Sequence, residues 1–182
     1  MRTEDRQLPQ LVMRRASLSD LPELLMPAGF RLRQYEPGDA PAWEALVEKA
    51  FGWKRDFQER IASRAYFRPE RVLFICNGDV PAATACAWEE PAWEESCGYL
   101  HMVGVNPDYS GRGLGYAVSL AALRRMREDG KRQAVLETDD FRLAAIKTYF
   151  KLGFQPDAKE EAVRERWRRV GLQLNMRFME EG

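Results

Sequence analysis

Histidine occurs once in these 182 residues, at His101, and cysteine three times, at Cys76, Cys86 and Cys97. The cysteines are odd in number and too evenly spread for a zinc pattern, so no metal is expected. Three buried thiols in a reducing cytoplasm are the natural reading. Neither charge sign is in surplus, because Lys plus Arg and Asp plus Glu stand at 28 each. That balance removes the broad electrostatic pull toward nucleic acid that a basic chain would have. No apolar run approaches the ~20 residues that span a bilayer, so no membrane partner is expected. The opening "MRTEDRQLPQ" lacks the basic-then-apolar order of a secretion signal. There are also no internal repeats, low-complexity tracts or obvious linkers, and the length suits one domain with a proper core.

What is present is a mixture of strand and helix patterns. Residues 1–29 are polar and proline-punctuated and read as an N-terminal extension packed on the surface. "FRLRQYE" alternates apolar and polar residues as a first strand does. "GDAPAWEALVEKAFG" opens on an acidic residue and proline and closes on glycine, which signals a helix. A second helical piece is expected around "FQERIASRAYF". "RVLFICNGDVPAATACAWEE" reads as two strands joined at Asn77-Gly78-Asp79. "CGYLHMVGV" is the fourth strand in this series. The pattern "LGYAVSLAALRRMREDG" puts Leu114, Val118 and Ala121 on one helical face, with Gly130 as its stop. "QAVLET" is a strand and "RLAAIKTYFKLG" a short helix. Beyond Pro156, Val163, Trp167, Val170 and Leu174 fall on one stripe of an amphipathic helix. Hairpins followed by a strand–helix–strand unit point to a mixed α/β sheet. The expected division is a lead at 1–29, a core at 30–156 and a C-terminal helical segment at 157–182.

The most informative stretch is "VGVNPDYSGRGLGYAV", with Gly111, Gly113 and Gly115 on alternate positions between a strand and a helix. A strand that turns straight into a helix leaves the first helical N–H groups without partners. Those groups and the positive end of the helix dipole bind anions, phosphates above all. Glycine lets a diphosphate approach the backbone without meeting a Cβ. A tight turn alone would normally need only one glycine. The dinucleotide fingerprint G-x-G-x-x-G fails here on spacing, and the chain contains no Gly-Lys-Ser/Thr of a P-loop.

"VNPDYSGRGLG" resembles the acetyl-coenzyme A signature of the GNAT acetyltransferases, Q/R-x-x-G-x-G/A, with Gly113 and Gly115 at the required glycines. Ser110 stands where the family usually has Gln or Arg, although Arg112 beside it can supply a charge. "AAIKTYFKLGF" resembles a later helix of the same family. Ala145, Ile146, Tyr149, Leu152, Gly153 and Phe154 fall into place there, while Arg142 replaces the asparagine that often opens the block. The resemblance covers roughly residues 30–156. "FRLRQYEPGDAPAWEALVEKAFG" further looks like the opening of bacterial mycothiol-synthase-like acetyltransferases.

The resemblance implies a central, mostly antiparallel sheet splayed at its fourth strand and flanked by helices. It implies transfer of an acetyl group from acetyl-CoA, as co-substrate, to a primary amine of a small molecule or peptide. The diphosphate would be held by backbone N–H groups of Gly111, Arg112, Gly113, Leu114, Gly115 and Tyr116, with Arg142 as a further coenzyme contact. The pantetheine arm would pair with Met102, Val103 and Val105, with the Val103 N–H facing the thioester carbonyl. Tyr149 matches the family's general acid; taken alone, it would read as a tyrosine packing its helix against the sheet.

The general base is less determined. His101 shares simple strand parity with Tyr99, Val103 and Val105, yet a lone histidine on a strand is commonly just packed. Glu89, Glu90, Glu137 or a water chain are the alternatives. Trp43, Phe51 and Trp53 either line an acceptor cleft or pack the core. From another class, Ser110 and Arg142 keep open a coenzyme-binding sensor that transfers nothing. The terminal helix with Trp167 could also serve as a homodimer contact.

Overall fold

The computed structural model describes residues 8–176. The outermost parts of the expected N- and C-terminal segments, residues 1–7 and 177–182, lie outside the described residues. The strands are β1 (Leu11–Arg15), β2 (Phe30–Gln34), β3 (Val72–Asn77), β4 (Val80–Trp88), β5 (Cys97–Val105), β6 (Gln133–Thr138) and β7 (Gln155–Asp157). The helices are α1 (Ala40–Phe51), α2 (Leu114–Glu128), α3 (Leu143–Lys151) and α4 (Glu161–Leu174). The class is mixed α/β, and β1–β7, β2–β3, β3–β4 and β4–β5 all pair antiparallel. The described residues divide into two compact units, residues 17–134 and residues 8–16 with 135–176.

In the first unit the strand order is β2-β3-β4-β5. The β3–β4 hairpin turns at Gly78, whose φ is 57°. The β4 run Ala82-Ala83-Thr84-Ala85-Cys86-Ala87 is wholly buried. Small side chains there let a helix approach each face of the sheet, and the Thr84 hydroxyl is satisfied by donating to the Leu73 carbonyl at 2.9 Å. Helix α1 begins beside Asp39, but that carboxylate does not cap it. Asp39 instead accepts from Arg33 and from the Glu36 N–H at 2.7 Å, and Arg33 holds its carboxyl below the ordinary value. Gly52 ends α1 in the left-handed region with its N–H on the Glu48 carbonyl. The expected helix near residue 58 is a single wide turn, Gln58–Ala62, closed by the Ser63 N–H on the Gln58 carbonyl. Helix α2 packs on β3, β4 and β5, with Leu114, Val118 and Ala121 buried as their spacing predicts.

In the second unit the order is β6-β1-β7. Strand β1 lies inside the stretch that composition assigns to a surface lead, yet Leu11 and Met13 are buried. The two arginines ending "LVMRR" disguise it. Arg14 pairs with Asp157 at 2.7 Å, and buried Arg15 donates to the Leu152 carbonyl. Strand β7 escapes sequence reading because Pro156 sits at its centre, which is tolerated at the end of a strand order. Helix α4 follows the expected stripe, with Trp167 and Val170 buried and Trp167 edge-on to Phe150 at 6.3 Å.

The closeness of α2 to β5 makes a direct test. A Cβ at Gly98 would lie 2.6 Å from Met126 Sδ and 2.8 Å from its Cγ, and Met126 is itself buried. Gly98→Ala should therefore cost about 1–3 kcal/mol in urea unfolding through overpacking; an unchanged midpoint would refute this packing.

Candidate active site

The pairing of β4 with β5 is interrupted. Thr84 faces Gly104 and Cys86 faces His101, so Met102 and Val103 together oppose Ala85 alone. Two residues against one is a β-bulge, which leaves the extra residue outside the ladder and bends the strand. Met102 takes a φ of 51°, unusual for a side chain of its size. The bulge corrects the simple parity expected for His101. Directly paired residues share a face, so Tyr99, His101 and Gly104 lie together. A Cβ at Gly104 would meet Ala50 of α1 at 3.1 Å, which makes this the α1 face. Val105 instead lies against Gly115 of α2. A glycine inside an apolar strand pattern was the available sign of this irregularity.

Beyond the bulge, buried Asn106 fixes the exit of β5. Its N–H donates to the Ala82 carbonyl at 2.9 Å, and its side chain accepts from the Asp108 N–H at 3.0 Å. Sequence reasoning passed over this residue, although Asn-Pro is a turn signal. A short turn, Pro107–Tyr109, leads to Gly111 and Gly113, with φ of 77° and 75°. Both positions favour glycine for backbone reasons. Gly115 is different. A Cβ there would make only ordinary contact with Val105, 3.5 Å away, so nothing in the protein itself demands glycine at that position.

Gly113 caps α2 without a side-chain hydrogen bond, and the first intrahelical bond is from the Ala117 N–H to the Gly113 carbonyl. The N–H groups before Ala117 therefore point out of a fifteen-residue helix. Arg112 is exposed, stands 5.8 Å from the Tyr109 ring and makes no ion pair among the described residues. Backbone amides, open glycines and a free guanidinium fit a diphosphate.

His101 is half-buried and stacks on Tyr99 with centroids 5.2 Å apart, with Trp88 next to it at 6.1 Å. Its ring nitrogens make no hydrogen bond among the described residues. Burial, followed by the positive charges of Arg60, Arg64 and Arg55, lowers its pKa from 6.5 to about 4. Of the other base candidates, Glu89 is held by Arg71 at 2.7 Å and Lys131 at 3.3 Å, while Glu90 and Glu137 are exposed. Trp43 is fully buried against Phe57 and packs the core, whereas Phe51 and Trp53 are half-buried.

Tyr149 and Arg142 belong to the second unit. Tyr149 is buried on α3 and edge-on to Phe154 at 6.1 Å, and its hydroxyl makes no hydrogen bond among the described residues. Burial pushes its pKa up to about 12, with Arg142 pulling slightly the other way. Arg142 pairs with Asp139 at 2.9 Å. Among the described residues no group of His, Cys, Asp and Glu could hold a metal ion, and no helix is long and apolar enough to cross a membrane.

The strand thus bulges and then turns through left-handed glycines into a helix whose first N–H groups are uncapped, a geometry able to receive an anion. The family model for the acetyltransferase (GNAT) family matches residues 37–154, and the chain belongs to that family. It is similar to the mycothiol acetyltransferase of Thermobispora bispora, 32% identical over 153 residues, covering 78% of this chain and 52% of that protein. Its likeness to the mycothiol acetyltransferase of Nocardia farcinica is 33% over 157 residues, covering 79% and 52%. The chain thus spans about half the length of the curated relatives it matches. Among solved structures, a GCN5-related N-acetyltransferase from Sphaerobacter thermophilus shares the fold with a TM-score of 0.64 and 22% identity, over 82% of this chain and 50% of that one.

The environment of His101 has a measurable consequence. An NMR titration of this single histidine should show a neutral ring down to about pH 4. Between pH 6.5 and 4 the unfolded chain then binds a proton that the folded chain does not. Stability is therefore full above pH 6.5 and falls as pH drops through that window. His101→Gln should flatten this slope, and a native pKa near 6.5 would contradict the burial.

Proposed function

We propose that the chain is an acetyl-CoA-dependent N-acetyltransferase acting on a primary amine of a small molecule or peptide. The carrying observation is the corner at residues 111–116, where backbone geometry accounts for Gly111 and Gly113 while neither φ nor packing requires glycine at 115, which supports a ligand approaching the backbone there. In this reading the N–H groups of residues 111–116 and the Arg112 guanidinium bind the diphosphate. The bulge at Met102–Val103 frees backbone groups that pair with the pantetheine amides, and Val105 continues that edge. The Val103 N–H is assigned to the acetyl carbonyl oxygen, where negative charge develops. When bound, acetyl-CoA supplies an acetyl group activated as a thioester.

Amide formation makes one N–C bond, breaks one C–S bond and moves two protons. Tyr149 keeps its proton at neutral pH, because burial disfavours the phenolate. It is assigned to return a proton to the departing sulfur. His101 is unprotonated at neutral pH, but its proton affinity is too low to strip an ammonium. Its role as base is confined to taking a proton once the N–C bond has begun to form and the nitrogen has become acidic. The amine then has to arrive neutral or lose its proton to water. The family match and the names of the relatives support transfer chemistry, and no observation favours a coenzyme sensor. Arg142 is retained as a coenzyme contact only in the sense of a charge near the Tyr149 helix.

Two substitutions test this. Gly115→Ala should leave the fold as stable or up to about 1 kcal/mol more stable, since alanine suits a helix better. It should nevertheless weaken acetyl-CoA binding in calorimetry by about tenfold or more; unchanged affinity would remove the corner from the site. Tyr149→Phe should lower kcat by about 10²-fold with little change in acetyl-CoA affinity. A normal kcat, with chemistry shown to limit the rate, would remove the assignment of Tyr149.

A further inference from the structure

Arg112 is the one cation in residues 109–116, so any side-chain charge that this corner brings to a diphosphate falls on it. It is exposed, and an exposed arginine spreads over many rotamers whose freedom is lost on binding. Its neighbour is aromatic. The guanidinium carbon lies over the Tyr109 ring, 5.8 Å from the centroid. That is inside the ~6 Å reach of a cation–π attraction. A guanidinium lying on a ring face keeps its in-plane N–H donors for other partners. The contact therefore orders the cation without consuming the groups that bind phosphate.

Tyr109 is itself held from two sides. Its N–H donates to the Asn106 carbonyl at 2.9 Å, within the turn that the Asn106 side chain closes by accepting from the Asp108 N–H. Asp108 also reaches Lys49 of α1 at 3.3 Å, an exposed pair that contributes little. On the other side the Tyr109 ring meets Phe30 edge-on, with centroids 5.8 Å apart and planes at 85°. Phe30 shares a face with Leu32, and the pairs Leu32–Ile75, Ile75–Ala83 and Ala83–Val105 carry that face across the sheet. Val105 lies against Gly115, so Phe30 stands on the α2 side. Its N–H is closed onto the Pro27 carbonyl at 3.1 Å, which fixes the start of β2. Phe30 and the turn thus set the half-buried ring on which Arg112 lies.

We propose that Tyr109 is a positioning residue for the coenzyme, its ring, backed by Phe30, ordering the Arg112 guanidinium for the diphosphate. This rests on the acetyltransferase reading and adds to it a side chain that touches no reacting atom. A cation already near its bound position loses less freedom when the ligand arrives. A tyrosine that merely packed the turn would act on the fold and not through Arg112, and that difference is measurable.

Calorimetry with coenzyme A on the full chain reads the effect, and urea unfolding of each variant establishes that it is folded. Tyr109→Phe keeps the ring face and should keep the affinity. Tyr109→Leu removes the face and should weaken binding about two- to fivefold relative to Tyr109→Phe, as an exposed cation–π contact would. A ring-fluorinated phenylalanine in place of Tyr109 keeps the shape but drains the negative face, so it should weaken binding in the same direction. That variant carries the test if leucine at this position does not fold. In an Arg112→Ala background both losses should vanish, because the ring then has no cation to order. Equal affinity for phenylalanine and its fluorinated form, or a loss that persists in the Arg112→Ala background, would overturn the proposal. Heat that is indifferent to the ring overturns this inference alone, whereas no heat from the folded, unsubstituted chain overturns the transferase reading beneath it.

Discussion

Everything at the site depends on two residues of β5, Met102 and Val103, standing opposite one residue of β4. A regular strand would send His101, Val103 and Val105 to the same face. The extra residue breaks that alternation. His101 and Gly104 are left on the α1 side, while Val105 meets α2 at Gly115. One insertion thus divides the strand into a part that looks toward α1 and a part that looks toward the glycine corner at the start of α2. It also releases backbone hydrogen-bonding groups at the point of division.

Such an arrangement is not stable on local grounds. Met102 in a left-handed conformation is strained, and a helix start capped by Gly113 forgoes the roughly few tenths of a kcal/mol that a serine or aspartate side chain would contribute. These costs are offset by packing elsewhere in the same unit. The alanine-rich β4 is buried along almost its whole length, and α2 buries nine of its fifteen residues. Asn106 then locks the strand exit with its backbone and side chain. Strain is therefore held at the corner by rigid neighbours on either side, as expected where a backbone has to present groups to a ligand.

The legible part of the sequence was whatever obeyed a local rule. Gly52 and Gly130 marked helix ends, Asn77-Gly78-Asp79 marked a hairpin, and Leu114, Val118 and Ala121 marked a buried helical face. The glycine corner was legible for the same reason, because left-handed backbone restricts the choice of residue. What escaped was set by partners distant in sequence. Strand β1 has two arginines among five residues, and its burial makes sense only with Asp157 and the Leu152 carbonyl in place. Pro156 hid β7. The bulge escaped because its residues, Met102 and Val103, are ordinary strand formers, and only the pairing with Ala85 makes one of them extra. Parity arguments fail at such a point, as the placement of His101 shows.

Tyr149 and His101 illustrate how one physical cause can set two opposite protonation states. Burial disfavours whichever form is charged. For a phenol that form is the anion, so Tyr149 is driven toward about 12 and keeps its proton. For an imidazole it is the cation, so His101 is driven toward about 4 and stays empty. At neutral pH the phenol therefore keeps its proton and the imidazole takes up none, the states that the proposed roles of acid and base require. The price is weak basicity at His101, deepened by the arginines around residues 55–64.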